Sequence, residues 1–214
     1  AASDVYKRQG LSDHELSQGY ETVTDPSVFV RFPATSGELA DLGASFLVWT
    51  TTPWTLVSNT AVAVHPDVDY VVVKATVEEV SEILVVAQPL LSKVAGEHEI
   101  LKTIKGKDLE RTTYKRPFDY LEIPDSHFIV LATYVTTEDG TGLVHQSPAF
   151  GADDLQVCRA YGLPVVNPIA PDGTFLSDVP VVGGMFFKEA DKPLVKELKA
   201  VSYTHLRAHE TGRN

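Results

Sequence analysis

Residues 45–59, SFLVWTTTPWTLVSN, run from an apolar strand into a cluster of hydroxyl side chains. The first six residues are rich in β-formers, which predicts a buried strand. Pro53 lacks the amide hydrogen that a sheet ladder needs, so the strand must end before it. Because Thr50, Thr51 and Thr52 alternate between the two faces of a strand, at least one hydroxyl must face the interior or a cleft. The alternative is that these threonines only suit a sheet edge and cap the following turn.

A second unusual segment, EDGTGLVHQSPAFGADD, occupies residues 138–154. A glycine turn feeds a strand that delivers His145 at its end, and a loop then leads to Asp153 and Asp154 at the start of a helix. Loops held between rigid elements often carry binding groups. Taken singly, a histidine at a strand end is more often structural and an aspartate pair at a helix start is usually a cap. Their close arrangement favours a functional site.

The rest of the chain predicts many short strands and few helices. Strands are predicted at 28–32, 45–50, 60–65, 70–75, 83–87, 128–132 and 142–145, with further short ones at 164–169 and 174–176, and helices at 88–94, 152–161 and 188–200. This order is typical of a mixed α/β, strand-rich domain rather than of a regular doubly wound sheet.

Composition and charge limit the class of protein. The chain is 43% hydrophobic and 22% charged, as in ordinary soluble domains, and no apolar run is long enough for a membrane span. The net charge of −11 argues against a general nucleic-acid binder, although six Lys and Arg residues lie within residues 101–116, where they form either a phosphate contact or a solvated surface. The single cysteine, Cys158, favours a reducing, cytoplasmic location.

Other chemistries find no support in the sequence. The Gly-x-Ser-x-Gly and phosphate-loop patterns are absent, and the scattered histidines lack the spacing of metal ligands. Residues 1–9 and 201–214 read as foreign tails without amphipathic period, so the domain is predicted to cover residues 10–200. Because the phosphate-loop pattern and the spacing of metal ligands are both absent, we expect no metal and no cofactor.

Together, the segments WTTTPWTL…SN and GTGLVHQSPAFGADD resemble the editing domain (connective peptide 1) of class I aminoacyl-tRNA synthetases for aliphatic amino acids. Thr52 stands where the valine and leucine enzymes typically have Arg, and His145 stands where they lack His, which favours the isoleucyl-tRNA synthetase family. The resemblance implies a β-barrel-like editing domain with peripheral helices. It further implies hydrolysis of valine wrongly attached to isoleucine tRNA.

The resemblance also assigns roles to individual positions. Asp154 would bind the α-ammonium group, His145 would border the side-chain pocket, and Thr50, Thr51 and Thr52 would line the site and position water. Trp54 and Asn59 are counted with the substrate-binding residues. The implied partners are the acceptor end of tRNA and the remainder of the synthetase, with no membrane. A valine- or leucine-type editing domain and a non-catalytic module that binds the acceptor end remain the alternatives.

Overall fold

The computed structural model describes residues 27–77, 80–200 and 204–205. Its strands are β1 (Val28–Pro33), β2 (Ala44–Thr50), β3 (Ala61–Val64), β4 (Asp69–Val77), β5 (Val80–Ala87), β6 (His98–Lys105), β7 (Ile129–Leu131), β8 (Leu143–Gln146) and β9 (Thr204–His205). Its α-helices are α1 (Gly37–Asp41), α2 (Leu91–Val94), α3 (Ala152–Ala160) and α4 (Asp191–Ala200), and 3-10 turns span Pro53–Ser58, Gln88–Leu90 and Gly106–Leu109.

The strands form two sheets. The larger sheet has the order β6-β4-β5-β2-β1-β9, with β2 and β5 parallel and the other neighbours antiparallel. The smaller sheet has the order β7-β3-β8, in which β3 is parallel to β7 and antiparallel to β8. The domain is thus mixed α/β and strand-rich, as the sequence predicted.

The expected barrel is not closed within the described part of the chain, where both sheets are open. Single bridges, Ala34 with Tyr114 and Thr113 with Phe128, connect β1 to the start of β7 through an irregular segment. On the other side, the amide of Ala87 at the end of β5 donates to the carbonyl of Thr141 before β8 (2.9 Å). Pro117 and Pro124 lie in the irregular segment that precedes β7. Because proline has no amide hydrogen to donate to a sheet ladder, isolated bridges replace a continuous strand there.

Strand β3 is buried on both faces and fixes the position of the site. Val62 and Val64 pack into the main core with Val30, Phe46 and other side chains of the larger sheet. Ala61 and Ala63 face the other way, toward a second cluster that includes Cys158 of α3. Helix α3 therefore lies on the outer face of the smaller sheet, with its N-terminus following the loop that leaves β8.

Most predicted elements are confirmed within one to three residues. The predicted strands at 164–169 and 174–176 are wrong, since that region forms only isolated bridges, Ile169 with Phe175 and Thr174 with Phe186. Strand β6 and helix α1 were not predicted. The expectation of a foreign tail at 1–9 lies outside the described residues, and of 201–214 only the two residues of β9 are described. Within the described ranges, no helix is long and apolar enough to cross a membrane.

Candidate functional site

The two segments singled out in the sequence meet in the fold. The hydroxyl of Thr55 lies 2.8 Å from Nε2 of His145. The hydroxyls of Ser58 and Ser147 lie 2.7 Å apart. The 3-10 turn that follows β2 therefore packs directly against the end of β8 and the loop beyond it. The hydroxyl of Ser147 thus pairs with Ser58, and among the described residues no hydrogen bond joins it to His145.

The threonine run divides between the interior and the surface. Thr50 is buried, as the alternation argument predicted for at least one member, and its hydroxyl accepts a hydrogen bond from the amide of Thr52 (3.1 Å). Thr51 and Thr52 are exposed. The hydroxyl of Thr52 lies 3.2 Å from that of Thr55, so a line of hydroxyls runs from the surface to His145. Such a line offers donors and acceptors to water or to a ribose.

Burial governs the chemistry of His145. Loss of hydration disfavours the imidazolium ion and lowers the pKa of His145 to about 4, so the ring is neutral at pH 7. The hydroxyl proton of Thr55 is directed to the carbonyl of Thr52 (2.8 Å), which favours Nε2–H of His145 as the donor to Thr55. The other ring nitrogen, Nδ1, is then an acceptor, and although it is buried, no group of the described residues donates a hydrogen bond to it.

Asp154 lies in the first turn of α3 and is tied to the preceding loop. Its Oδ2 accepts a hydrogen bond from the amide of Ser147 (2.8 Å). A Cβ at Gly151 would lie 2.9 Å from Cγ of Asp154, so glycine is needed for this close approach. Burial raises the pKa of Asp154, while the hydrogen bonds from Ser147 and Tyr134 act against the rise. A cation placed beside this half-buried carboxylate would be stabilised by it.

The sequence did not reveal two residues that complete this part of the site. The hydroxyl of Tyr134 donates to Oε1 of the buried Gln146 (2.7 Å) and lies 3.5 Å from Oδ1 of Asp154. Gln146 in turn donates to the carbonyl of Val144 (3.2 Å). This pair holds the strand end that carries His145. Tyr134 lies in an irregular segment, where no periodic pattern could have marked it.

Trp54 and Asn59 occupy different environments. Asn59 is fully buried, donates to the carbonyl of Ala61 (3.0 Å) and accepts from the hydroxyl of Tyr114 (2.7 Å), so its side chain supports the turn from within. Trp54 is half-buried, and its amide donates to the carboxylate of Asp191 in α4 (2.8 Å). Asp191 is a further residue that the sequence did not reveal.

The basic residues between 101 and 116 are largely engaged in contacts within the protein. Lys102 pairs with Glu38, and Lys105 lies 2.8 Å from Asp69. The guanidinium of Arg111 lies over the rings of Phe128 and Tyr161, at 4.6 and 5.0 Å from their centroids. This distribution favours the solvated-surface interpretation of the run. Over the described ranges, His, Cys, Asp and Glu side chains form no group of three placed to hold a metal.

Known proteins similar to this chain are synthetases. No family model matches the chain. An isoleucine–tRNA ligase of Streptomyces coelicolor is 63% identical over 210 residues, which cover 94% of this chain and 20% of that protein. An isoleucine–tRNA ligase of Thermus thermophilus is 42% identical over 208 residues, covering 93% of this chain and 19% of that protein. The chain therefore spans about one fifth of the length of these relatives.

Solved structures with a similar fold include leucyl-tRNA synthetase editing domains. GlLeuRS-CP1 matches with a TM-score of 0.67 at 15% identity, over 88% of this chain and 100% of that chain. The P. knowlesi cytosolic leucyl-tRNA synthetase editing domain matches with a TM-score of 0.63 at 13% identity, over 88% of this chain and 98% of that one. The chain thus corresponds in sequence to a segment, about one fifth in length, of isoleucine–tRNA ligase, and it has the fold of leucyl-tRNA synthetase editing domains.

Proposed function

We propose that this chain is an editing domain that hydrolyses the ester of valine wrongly attached to isoleucine tRNA. The observation that carries the proposal is the contact between Thr55 and His145, which joins the threonine segment to the end of β8, from which a short loop leads to Asp154. If the two segments lay on opposite sides of the molecule, they could not form a common site. The high identity to isoleucine–tRNA ligases supports the choice of amino acid.

Isoleucine and valine differ by a single methylene, and this small difference is the physical reason why such a domain is needed. A pocket that accepts isoleucine discriminates against valine by only about 1–3 kcal/mol, a limit for which this very pair of amino acids is the reference case. A second, smaller pocket admits valine and excludes isoleucine by steric overlap. The error is then hydrolysed while the correct product is spared.

The side chains suit three separate tasks in this reaction. The half-buried carboxylate of Asp154 binds the α-ammonium group of valine through a charge-assisted hydrogen bond. The neutral ring of His145 forms part of the wall that limits the length of the side chain. The hydroxyls of Thr50, Thr51 and Thr52 bind the terminal ribose and fix a water molecule near the ester carbonyl.

Hydrolysis itself needs no covalent nucleophile from the protein. The held water attacks the ester carbonyl, the bond to the ribose oxygen breaks, and the proton that the water gives up passes to that oxygen, so the products are free valine and the free ribose hydroxyl. An aminoacyl ester is already reactive, so positioning contributes a large part of the acceleration. The ATP-binding signatures His-Ile-Gly-His and Lys-Met-Ser-Lys-Ser do not occur in the sequence, and we expect no amino-acid activation by this chain. Its partners would be the tRNA acceptor end and the remainder of a cytoplasmic synthetase.

The test is a deacylation assay with valyl- and isoleucyl-tRNA, both made on isoleucine tRNA. We expect this chain to hydrolyse the valyl ester and to spare the isoleucyl ester. In the Asp154→Ala variant the ammonium loses its counter-ion, a loss of about 1.5–3 kcal/mol that lowers the rate roughly 10- to 150-fold. Asp153→Ala is the matched control, because Asp153 is an exposed carboxylate in the same helical turn.

Each contrary result has a distinct meaning. Equal activity of the Asp154→Ala and Asp153→Ala variants would remove Asp154 from the reaction. Faster hydrolysis of threonyl-tRNA specific for valine would assign the domain to the valine type. Tight binding of tRNA without turnover of any ester would leave only an acceptor-end binding module.

A further inference from the structure

The carboxylate of Asp154 is held at both oxygens by donors from different parts of the chain. Its Oδ2 accepts a hydrogen bond from the amide of Ser147, in the loop after β8 (2.8 Å). Its Oδ1 lies 3.5 Å from the hydroxyl of Tyr134, which follows β7. Among the described residues, Tyr134 is the one side chain that donates a hydrogen bond to Asp154, and no ion pair there involves this carboxylate. The orientation of the carboxylate therefore depends on one main-chain amide and one hydroxyl.

The hydroxyl of Tyr134 is itself fixed in place. It donates to Oε1 of Gln146 (2.7 Å), a fully buried side chain. The side-chain nitrogen of Gln146 donates to the carbonyl of Val144 (3.2 Å), so the opposite oxygen must face Tyr134. The ring of Tyr134 packs against the second cluster, which includes Cys158 of α3. Burial raises the pKa of Tyr134, so the phenol keeps its proton at neutral pH and remains a donor.

We propose that Tyr134 is a positioning residue: its hydroxyl ties Asp154 on α3 to the end of β8 and so fixes the carboxylate that binds the α-ammonium group, an inference that rests on the proposed function. One phenol proton lies between two acceptors, Oε1 of Gln146 and Oδ1 of Asp154. A carboxylate is the stronger acceptor of the two. Hydrogen bonds of functional groups are also often long before a substrate binds and shorten in the complex. In this role Tyr134 acts through Asp154 rather than on the ester itself.

The same hydroxyl favours the ionised form of Asp154, which is the form that attracts an ammonium group. Burial raises the pKa of Asp154, the hydrogen bonds from Ser147 and Tyr134 lower it, and the neighbouring carboxylate of Asp153 raises it. Cys158, one turn further along α3, has a pKa raised to about 12 by burial and carries no charge at pH 7. Loss of the Tyr134 hydroxyl should therefore raise the pKa of Asp154, and substrate binding should then weaken at a higher pH than in the parent chain.

The first experiment measures the pKa of Asp154 by carbon-13 NMR titration of the chain labelled at aspartate, with the resonance assigned as the one that Asp154→Ala removes. Tyr134→Phe keeps the ring and removes the hydroxyl, so we expect the pKa of Asp154 to rise by about one unit, the shift that one hydrogen bond to a charged group produces. Tyr161→Phe is the matched control. The hydroxyl of Tyr161 belongs to a ring packed on the same second cluster but donates to Glu110 (2.7 Å), so its loss should leave the pKa of Asp154 unchanged.

A change of opposite sign is expected from 3-fluorotyrosine at position 134. Fluorine makes the phenol a stronger hydrogen-bond donor at nearly unchanged volume, so the packing of the ring is retained. We expect the pKa of Asp154 to fall below its value in the parent chain. This replacement also decides the question if Tyr134→Phe does not fold.

The second experiment follows hydrolysis of valyl-tRNA over the pH range in which the chain remains folded. In Tyr134→Phe, kcat/KM should fall about tenfold below the parent on the acidic side and should approach the parent value at about pH 8, because Asp154 is then ionised in both proteins. A purely structural loss would instead be the same at every pH. In an Asp154→Ala background, Tyr134→Phe should have no further effect on kcat/KM, because it acts through that carboxylate.

The proposal is overturned if the pKa of Asp154 is the same in Tyr134→Phe and in the parent, if Tyr161→Phe raises it equally, or if 3-fluorotyrosine fails to lower it. A further loss of kcat/KM from Tyr134→Phe in the Asp154→Ala background would also overturn it. Failure of the proposed function is distinguishable, since it appears as absent ester hydrolysis, whereas the titration of Asp154 requires no turnover.

Discussion

At the scale of single residues, the neutral and buried ring of His145 is suited to form a wall rather than to hold a charge. Its pKa of about 4 keeps it uncharged near pH 7, so it would not repel the ammonium group of the substrate proposed above. Thr55 fixes the orientation of the ring through Nε2. If His145 forms the proposed wall of the pocket, one hydroxyl of the threonine segment would set its position.

Replacement of this ring should weaken the exclusion of isoleucine. In the His145→Ala variant the space left by the imidazole accommodates one more methylene, and we expect hydrolysis of isoleucyl-tRNA to rise at least tenfold relative to valyl-tRNA, within the range that one methylene provides. The ratio of the two deacylation rates is the measurement. His98→Ala, at an exposed histidine on β6, should leave the ratio unchanged. An unaltered ratio in His145→Ala would assign the exclusion to other side chains.

At the scale of elements, the junction between β5 and β8 depends on a glycine. Gly142 precedes β8 with a φ of +75°, and an added Cβ would overlap the Cβ of Ala87 at the end of β5. Tyr70 of β4 also donates to the carbonyl of Gly142 (2.7 Å). The strand that delivers His145 is thereby seated against the larger sheet.

A pair of glycine variants separates backbone strain from steric overlap at this junction. Gly142→Ala should lower the free energy of unfolding by about 1–2 kcal/mol for the positive φ and by a further 1–3 kcal/mol for the overlap. Gly162→Ala, at a φ of +69° with open space around it, should lose only the first amount. Urea unfolding measures both. Equal losses would show that Ala87 moves aside at no cost.

The elements also show why the sequence predicted some parts of the fold and missed others. Strand β1 alternates buried and half-buried side chains, and that alternation is visible in the sequence. Strand β6 lies at a sheet edge with nearly all its side chains exposed, so its pattern carries no such signal. The same holds for the site. Thr50, His145 and Asp154 lie in distinctive local segments, whereas Tyr134 and Asp191 join the site through distant contacts that only the folded chain creates.

At the scale of the whole molecule, the buried His145 links stability to pH. In the unfolded chain its pKa is 6.5 and in the folded chain about 4, so between these values the unfolded state binds more protons. Stability contributed by the neutral ring is complete above pH 7 and is lost as the pH falls through 6.5 toward 4. From the two pKa values, the loss between pH 7 and pH 5 amounts to about 2 kcal/mol.

Urea unfolding at the two pH values measures this linkage. In His145→Gln the fall in the free energy of unfolding from pH 7 to pH 5 should be smaller by about 2 kcal/mol than in the parent chain. His127, whose pKa is also lowered to about 4, is retained in both proteins and cancels in the difference. The same pH dependence in both proteins would mean that His145 is hydrated in the folded state.

The bond from the amide of Trp54 to Asp191 connects positions 137 apart in sequence. A polypeptide shortened so that it stops at Gly184 would still contain every residue of both signature segments, yet the amide of Trp54 would lose its hydrogen bond to Asp191. A shorter fragment of this domain should therefore retain helix α4. A C-terminal boundary chosen from the two signature segments alone would fall too early in the chain.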